Sequence, residues 1–164
     1  MVGNRAHIDF ETRNYLNLRR CGVHRYCEHP SMGVWCMCWR IEDEARRILA
    51  EGSWRPGQPD TVALLAHVAA GLTVVAHNNA FDRTVWNRYV RVRLCPHWPE
   101  WTIEQSDCTV ARAAVIAVPQ GLEFVAPVLG IDQRKDDVGS RLMRKMMVPR
   151  TTTVCTCCNG VGHV

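Results

Sequence analysis

The sequence predicts an α/β fold: an early meander of strands in a mixed sheet, with helices packed against it. Three observations carry that expectation. Residues 5–11 (RAHIDFE) alternate apolar and polar side chains, the period of a strand. Gly33 to Ile41 (GVWCMCWRI) is a near-continuous apolar run behind a Gly boundary, which reads as a strand buried on both faces. Residues 60–89 then read as helix, strand, helix. A length of 164 residues suits one domain with a sizeable core, and 47% hydrophobic with 22% charged residues is ordinary for a soluble globular chain.

Taken in order, residues 13–32 show little periodicity and read as a long loop with at most a short helical turn. Loops of that length inside a compact domain are often functional. Its Arg13, Arg19, Arg20 and Arg25 suit either a phosphate backbone or plain solvated surface. Glu42-Asp43-Glu44 is a turn, residues 45–50 are either a third strand or a short helix, and Gly52 to Pro59 (GSWRPGQP) is a loop. Asp60 or Thr61 caps a helix to Ala70 that Gly71 ends. Leu72 to Ala76 is a strand, His77 to Ala80 a turn, and Phe81 to Tyr89 a helix. Residues 94–101 (LCPHWPEW) are loop. Helices follow over Cys108 to Ile116, over about Leu122 to Leu129 with Pro127 disturbing its end, and over Ser140 to Met147 after a charged turn at Lys135 to Gly139.

Several classes are disfavoured. No run of about 18 apolar residues offers a membrane span, and the polar N-terminus lacks a signal-peptide pattern, so a cytoplasmic location (host or bacterial) is expected, with no membrane partner. The 9 cysteines are odd in number and scattered; in a reducing compartment they read as small buried residues, the Cys36-x-Cys38 pair included, rather than disulfides. A net charge of +4 permits a polyanionic partner without demanding one.

The chemistry concentrates in two stretches. On the first strand Asp9 and Glu11 share one face while Ile8 and Phe10 take the other. Adjacent like charges repel, and a divalent ion with hard oxygen ligands relieves that. Alone, the pair reads first as an edge strand with a solvated acidic face, ahead of a metal site. The second stretch, Ala76 to Asp82 (AHNNAFD), puts Asp82 in the first turn of a helix at a strand's carboxyl end, where open α/β sheets bind ligands. Three carboxylates there can hold two divalent ions. Alone, Asp82 reads as a charge complementing the helix dipole.

Together the stretches resemble a known family. The D-x-E of Asp9 and Glu11, with the N-x-x-F-D of Asn78, Phe81 and Asp82, resembles the first two motifs of the DEDD (DnaQ-like) 3'-5' exonucleases. IDFETRN, YCEHP, AHNNAFDR, CTVARAA and KDDVGSRLM narrow the likeness to the N-terminal proofreading domain of phage-type family A DNA polymerases, over about residues 5 to 150. The resemblance implies a ribonuclease H-like fold in which a three-strand antiparallel meander joins parallel strands. It implies that Asp9, Glu11 and Asp82 are the catalytic residues and hold two divalent metals, magnesium with manganese able to substitute. It implies that Asn78 and Phe81 shape the pocket for the terminal nucleotide, with Thr12 near the 3' end. The reaction is hydrolysis of the terminal phosphodiester of single-stranded DNA, releasing nucleoside monophosphates. Arg13, Arg83 and Tyr26 are candidates for guiding the strand. A polymerase domain or chain is the expected partner.

The match breaks at the family's fourth carboxylate, the Asp of Y-x-x-x-D or H-x-x-x-x-D. Tyr89 is the last tyrosine, and neither it nor His97 nor His163 has an Asp at the right spacing. The expectation is an exonuclease domain over 1–150, incomplete at its C-terminal side and weak or inactive. The alternative is a non-catalytic module on the same fold that binds a 3' end. Residues 151–164 (TTTVCTCCNGVGHV) read as a Cys-rich, disordered or non-homologous tail. Its C-x-x-C-x-G-x-G, from Cys155 to Gly162, resembles half of the zinc motif of DnaJ-type chaperones. It offers two ligands, with Cys157 and His163 as extras, where zinc needs four, so zinc is not expected there.

Overall fold

A computed structural model of the chain describes residues 3–132 and 136–147. Five strands form one sheet in the order β3-β2-β1-β4-β5. β1 (Arg5–Arg13), β2 (Gly33–Glu42) and β3 (Ile48–Trp54) make the antiparallel meander, and β4 (Thr73–Ala76) and β5 (Ser106–Cys108) continue it in parallel. β1 behaves as its alternation requires: Ala6, Ile8, Phe10 and Thr12 are buried, while Asp9 is exposed.

The long loop expected over 13–32 is instead α1 (Leu18–Glu28), capped by the Asn17 side chain accepting from Arg19 N–H. Gly22 breaks it with φ +74°, a left-handed conformation open to glycine, so two short helical pieces meet at a kink. Only Tyr26 and Cys27 are buried on it, and so weak an apolar stripe leaves no period to read. Arg19, Arg20 and Arg25 are exposed along it.

β2 is not buried on both faces. Met37 and Ile41 enter the core, but Cys38 and Arg40 are exposed, and Cys36 is only half-buried. Residues 48–54 settle as strand, so Gly52 to Trp54, expected in a loop, belong to β3. Gly52 fits there because the Trp39 ring lies over it; a Cβ would come within 3.2 Å of that ring. The turn before β3 is held by Asp43, which accepts from Arg47 N–H and Nε–H at 2.9 and 2.7 Å.

Thr61, not Asp60, precedes α2 (Val62–Ala69), and its hydroxyl makes no cap bond. The Asp60 carboxylate turns to the 94–101 segment, accepting from the Trp98 indole at 2.8 Å and meeting His97 at 2.7 Å. Gly71 closes α2 at φ +72°. α3 (Asn79–Thr84) runs straight on into a π-helical segment (Val85–Leu94), whose wide turns end with Cys95 N–H donating to Val90 O. The expected helix 81–89 is thus longer and changes its winding.

The segment read as loop over 94–101 supplies the core. Trp98 and Trp101 are fully buried, and Trp98 sits between Trp54 and Trp86 at centroid distances of 4.8 and 4.7 Å. The π segment satisfies that segment's backbone: Trp86 Nε1 donates to Pro99 O, Asn87 Nδ2 to Trp101 O and Arg91 Nε to Trp98 O. β5 was not expected. Ser106-Asp107-Cys108 has no apolar residue but cysteine, and its pairing with β4 makes it a strand. α4 (Thr109–Val115) follows, then α5 (Leu122–Val128), which carries Pro127 near its end. α6 (Asp137–Met146) starts three residues before the expected Ser140, because the Asp136 side chain caps it by accepting from Val138 N–H. Lys135 and the tail 151–164, with its half zinc motif, lie outside the described residues.

Candidate functional site

The site forms where β1 outruns β4. Their pairing ends at His7↔Val75, so the rest of β1 loses its neighbour on that side. Its backbone donors need another partner. α3 fills the gap: Phe10 N–H donates to Asp82 Oδ1 at 3.1 Å in a buried environment. The turn into α3 is made by Asn78 at φ 65°, ψ 53°, a left-handed conformation that asparagine tolerates better than most residues. Asn78 itself is exposed.

Asp82 is 3% exposed. Burial, and then the charge of Asp9, push its carboxyl up to about 7 against the pull of the Phe10 N–H, and Glu11 adds to the rise. Asp82 therefore feels the charges of Asp9 and Glu11, with Asp9 exposed, Glu11 half-buried and Asp82 buried. Such a cluster of hard oxygen donors gains from a divalent cation. Among the described residues no three His, Cys, Asp or Glu side chains already surround one point. The donor chemistry and the mutual repulsion fit a divalent ion, and side-chain rotation is needed to gather the oxygens.

Around the carboxylates the aromatic residues interlock. Thr12 Oγ1 and Tyr26 Oη are 3.0 Å apart and both buried, and the Tyr26 ring lies 6.3 Å from the half-buried Phe81 ring. Thr12 and Tyr26 thus brace the wall of the site, and the Thr12 hydroxyl is engaged inside it. The Arg13 guanidinium lies over the Trp35 ring at 4.8 Å and packs on Gly33, where a Cβ would come within 2.7 Å of its Nε. Arg83 is half-buried, with its Nε making no hydrogen bond.

Three features escaped the sequence reading. Trp35 is the extra residue at a bulge, because β1–β2 pairing jumps from Glu11↔Cys36 to Thr12↔Val34. Its indole donates to Met146 O at 3.2 Å, and Asn14 N–H donates to Met147 O at 2.8 Å. The end of α6 is thereby tied beside the site, over a cavity of about 600 Å³ lined by Asn14, Tyr15, Leu16, Arg19, Tyr26 and Arg144. Asn14 also donates to Tyr26 O and accepts from Ser31 Oγ, which fixes the chain as it leaves β1. Finally, Cys36 and Cys38 stand opposite Glu11 and Asp9. Their spacing of two was visible, but the register depends on the bulge.

No family model matches the chain. The chain is 28% identical over 144 residues to a DNA polymerase of Bacillus phage SP02; the match takes in 87% of this chain and 20% of that polymerase. The chain thus spans about a fifth of the length of that relative. Among solved structures it resembles one described as an ExoI/SSB-Ct complex, with a TM-score of 0.50 and 14% identity, over 90% of this chain and 40% of the other. The mixed five-stranded sheet with its flanking helices is the ribonuclease H-like fold of that exonuclease.

Proposed function

We propose that the chain is a metal-dependent 3'-5' exonuclease module that hydrolyses the terminal phosphodiester of single-stranded DNA and works beside a polymerase domain. One observation carries the reading: the buried Asp82 carboxyl, anchored on the Phe10 N–H of β1, feels the charges of Asp9 and Glu11 on that strand. The likeness to a phage DNA polymerase and to an exonuclease fold supports it. Asp9, Glu11 and Asp82 hold the divalent ions, magnesium or manganese. When bound, these supply charge stabilisation of the phosphoryl group and a more acidic water. The chain's own work is positioning. Asn78 sets the entry of α3, Phe81 and the Thr12–Tyr26 pair shape the pocket wall, and Arg13 offers a cation at its rim.

The test is digestion of 3'-labelled single-stranded DNA in magnesium. The expected result is weak stepwise release of mononucleotides, because the chain has no Asp at the spacing of the fourth motif, and its abolition by Asp9→Ala and by Asp82→Asn. Digestion that survives Asp9→Ala overturns the reading. One observation favours a second reading, binding of a 3' end without cleavage. From Val138 to Met147, α6 has no carboxylate, and it brings Arg144 to the cavity beside the site. Retention of the labelled strand without cleavage selects that reading.

A further inference from the structure

Two consecutive residues of α3 serve different neighbours. Asp82 turns to β1, where it accepts from Phe10 N–H, while Arg83 lines a cavity of about 330 Å³ between α1, α3 and the π segment. Val23 and His24 of α1 line that cavity too, with Thr84, Arg88 and Glu100. Arg83 is half-buried, and its Nε–H is buried without a hydrogen-bond partner. A buried donor left unpaired is costly, and each one calls for an explanation. Among the described residues no carboxylate forms an ion pair with Arg83; Glu104 only feels its charge. Arg88 is exposed and meets Glu28 at 3.8 Å, a loose surface pair. His24 is exposed, and its ring donates in either protonation state. The neutral polar groups are already engaged. Thr84 Oγ1 donates to Ala80 O, and Asn87 bonds Trp101 through both ends of its amide. Recognition in this cavity therefore falls to the cations.

We propose that Arg83, with Arg88 and His24 beside it, forms an anion site that takes a backbone phosphate of a bound single strand. A guanidinium presents Nε–H and Nη–H as parallel donors, the fork that grips two phosphate oxygens. The unpaired Nε–H of Arg83 gains a partner when the site is filled. Arg83 follows Asp82 directly, so a phosphate held here fixes the strand beside the candidate carboxylates. Glu100 lines the same cavity with the opposite charge, and its neutralisation strengthens the site. That the phosphate belongs to a strand rests on the nuclease reading; that the site takes an anion does not.

The test follows the fluorescence anisotropy of a 5'-labelled single-stranded DNA titrated with the full chain in EDTA, where metal-dependent digestion is stopped, over a range of salt. Arg83→Gln is expected to weaken binding about tenfold and to lower the slope of log affinity against log salt by about 0.7, the loss of one phosphate contact on a single strand. Arg88→Gln should weaken binding by about twofold and Glu100→Gln tighten it by about twofold. Arg46→Gln, in the turn between β2 and β3, and Glu123→Gln, on α5, make the same charge changes away from the cavity and should act less than their counterparts. Unchanged affinity and slope in Arg83→Gln overturn the proposal. Arg88 and Glu100 are exposed, so their variants decide the matter if Arg83→Gln fails to fold: effects no larger than those of the two controls overturn it. A second arm compares thermal midpoints in inorganic phosphate and in chloride at equal ionic strength. A rise in phosphate that Arg83→Gln loses, with equal strand affinity in the two proteins, marks free phosphate as the ligand and overturns the assignment to a strand. A strand held through Arg83 in EDTA, with no digestion in magnesium, overturns the nuclease reading and leaves the anion site standing.

Discussion

The two ends of the fold are built differently. From β1 to β5 the chain buries Trp54, Trp86, Trp98 and Trp101 completely, and side chains of the π segment tie down even the 94–101 segment. From α4 onward many of the described apolar side chains face outward, Val115 being 85% exposed, Phe124 61% and Val138 67%, while Ala113 and Val125 are buried. The same residue types thus serve as core in one region and as surface in the other. Burial against a neighbour, rather than hydrophobicity, decides where stability resides. The candidate site lies at the seam, its carboxylates on the rigid sheet and α3, and its outer wall closed by α6 through the Trp35 and Asn14 hydrogen bonds.

That contrast can be broken most forcefully at Trp98. Trp98→Ala removes the ring between Trp54 and Trp86 and is expected to cost about 3–5 kcal/mol, read from the urea midpoint. A cost below about 1 kcal/mol would show that the tryptophan cluster is not the structural centre.

A somewhat smaller effect is expected at Asp82 in metal-free buffer. Its carboxyl binds a proton more tightly in the folded state, at about 7, than in the unfolded chain. Its contribution is therefore fully present below the ordinary carboxylate range and is lost as pH rises toward 7. The loss is at most about 4.5 kcal/mol, at about 1.4 kcal/mol per unit. Asp82→Asn keeps an oxygen for Phe10 N–H and should flatten that fall in a thermal-midpoint series from pH 4 to 8. In the wild type, magnesium at pH 8 should recover part of the loss. An equal slope in both proteins would separate Asp82 from the effect.

The smallest effect sharpens the other side of the comparison. Phe124→Ser or Ile116→Ser, on or just beyond the outward helices, should change stability by less than about 0.5 kcal/mol in the same urea assay. A cost above about 2 kcal/mol would mean that these side chains are packed in solution.

Much of the sheet was legible. The alternation around Ile8 and Phe10 put Asp9 and Glu11 on one face, and the helix–strand–helix pattern placed Asp82 at a strand's carboxyl end. The kinked α1 was not legible, because Gly22 splits its period and only Tyr26 and Cys27 turn inward. β5 was not legible either, since a three-residue strand of Ser, Asp and Cys has no pattern of its own. The burial of Trp98 and Trp101 depends on the partners that Trp86, Asn87 and Arg91 supply to the backbone around them.

By itself the sequence determined which side chains carry charge and which faces the local periods present, because alternation and helical spacing are properties of the chain alone. Only the tertiary structure decided that Asp82 lends an oxygen to Phe10 N–H, that Asp9 and Glu11 raise its affinity for a proton, and that Cys36 and Cys38 stand across from them. The reason is geometric. β4 stops short of β1, and the bulge at Trp35 sets the register, so Phe10 and Asp82, 72 positions apart, meet only where one strand runs out of partners.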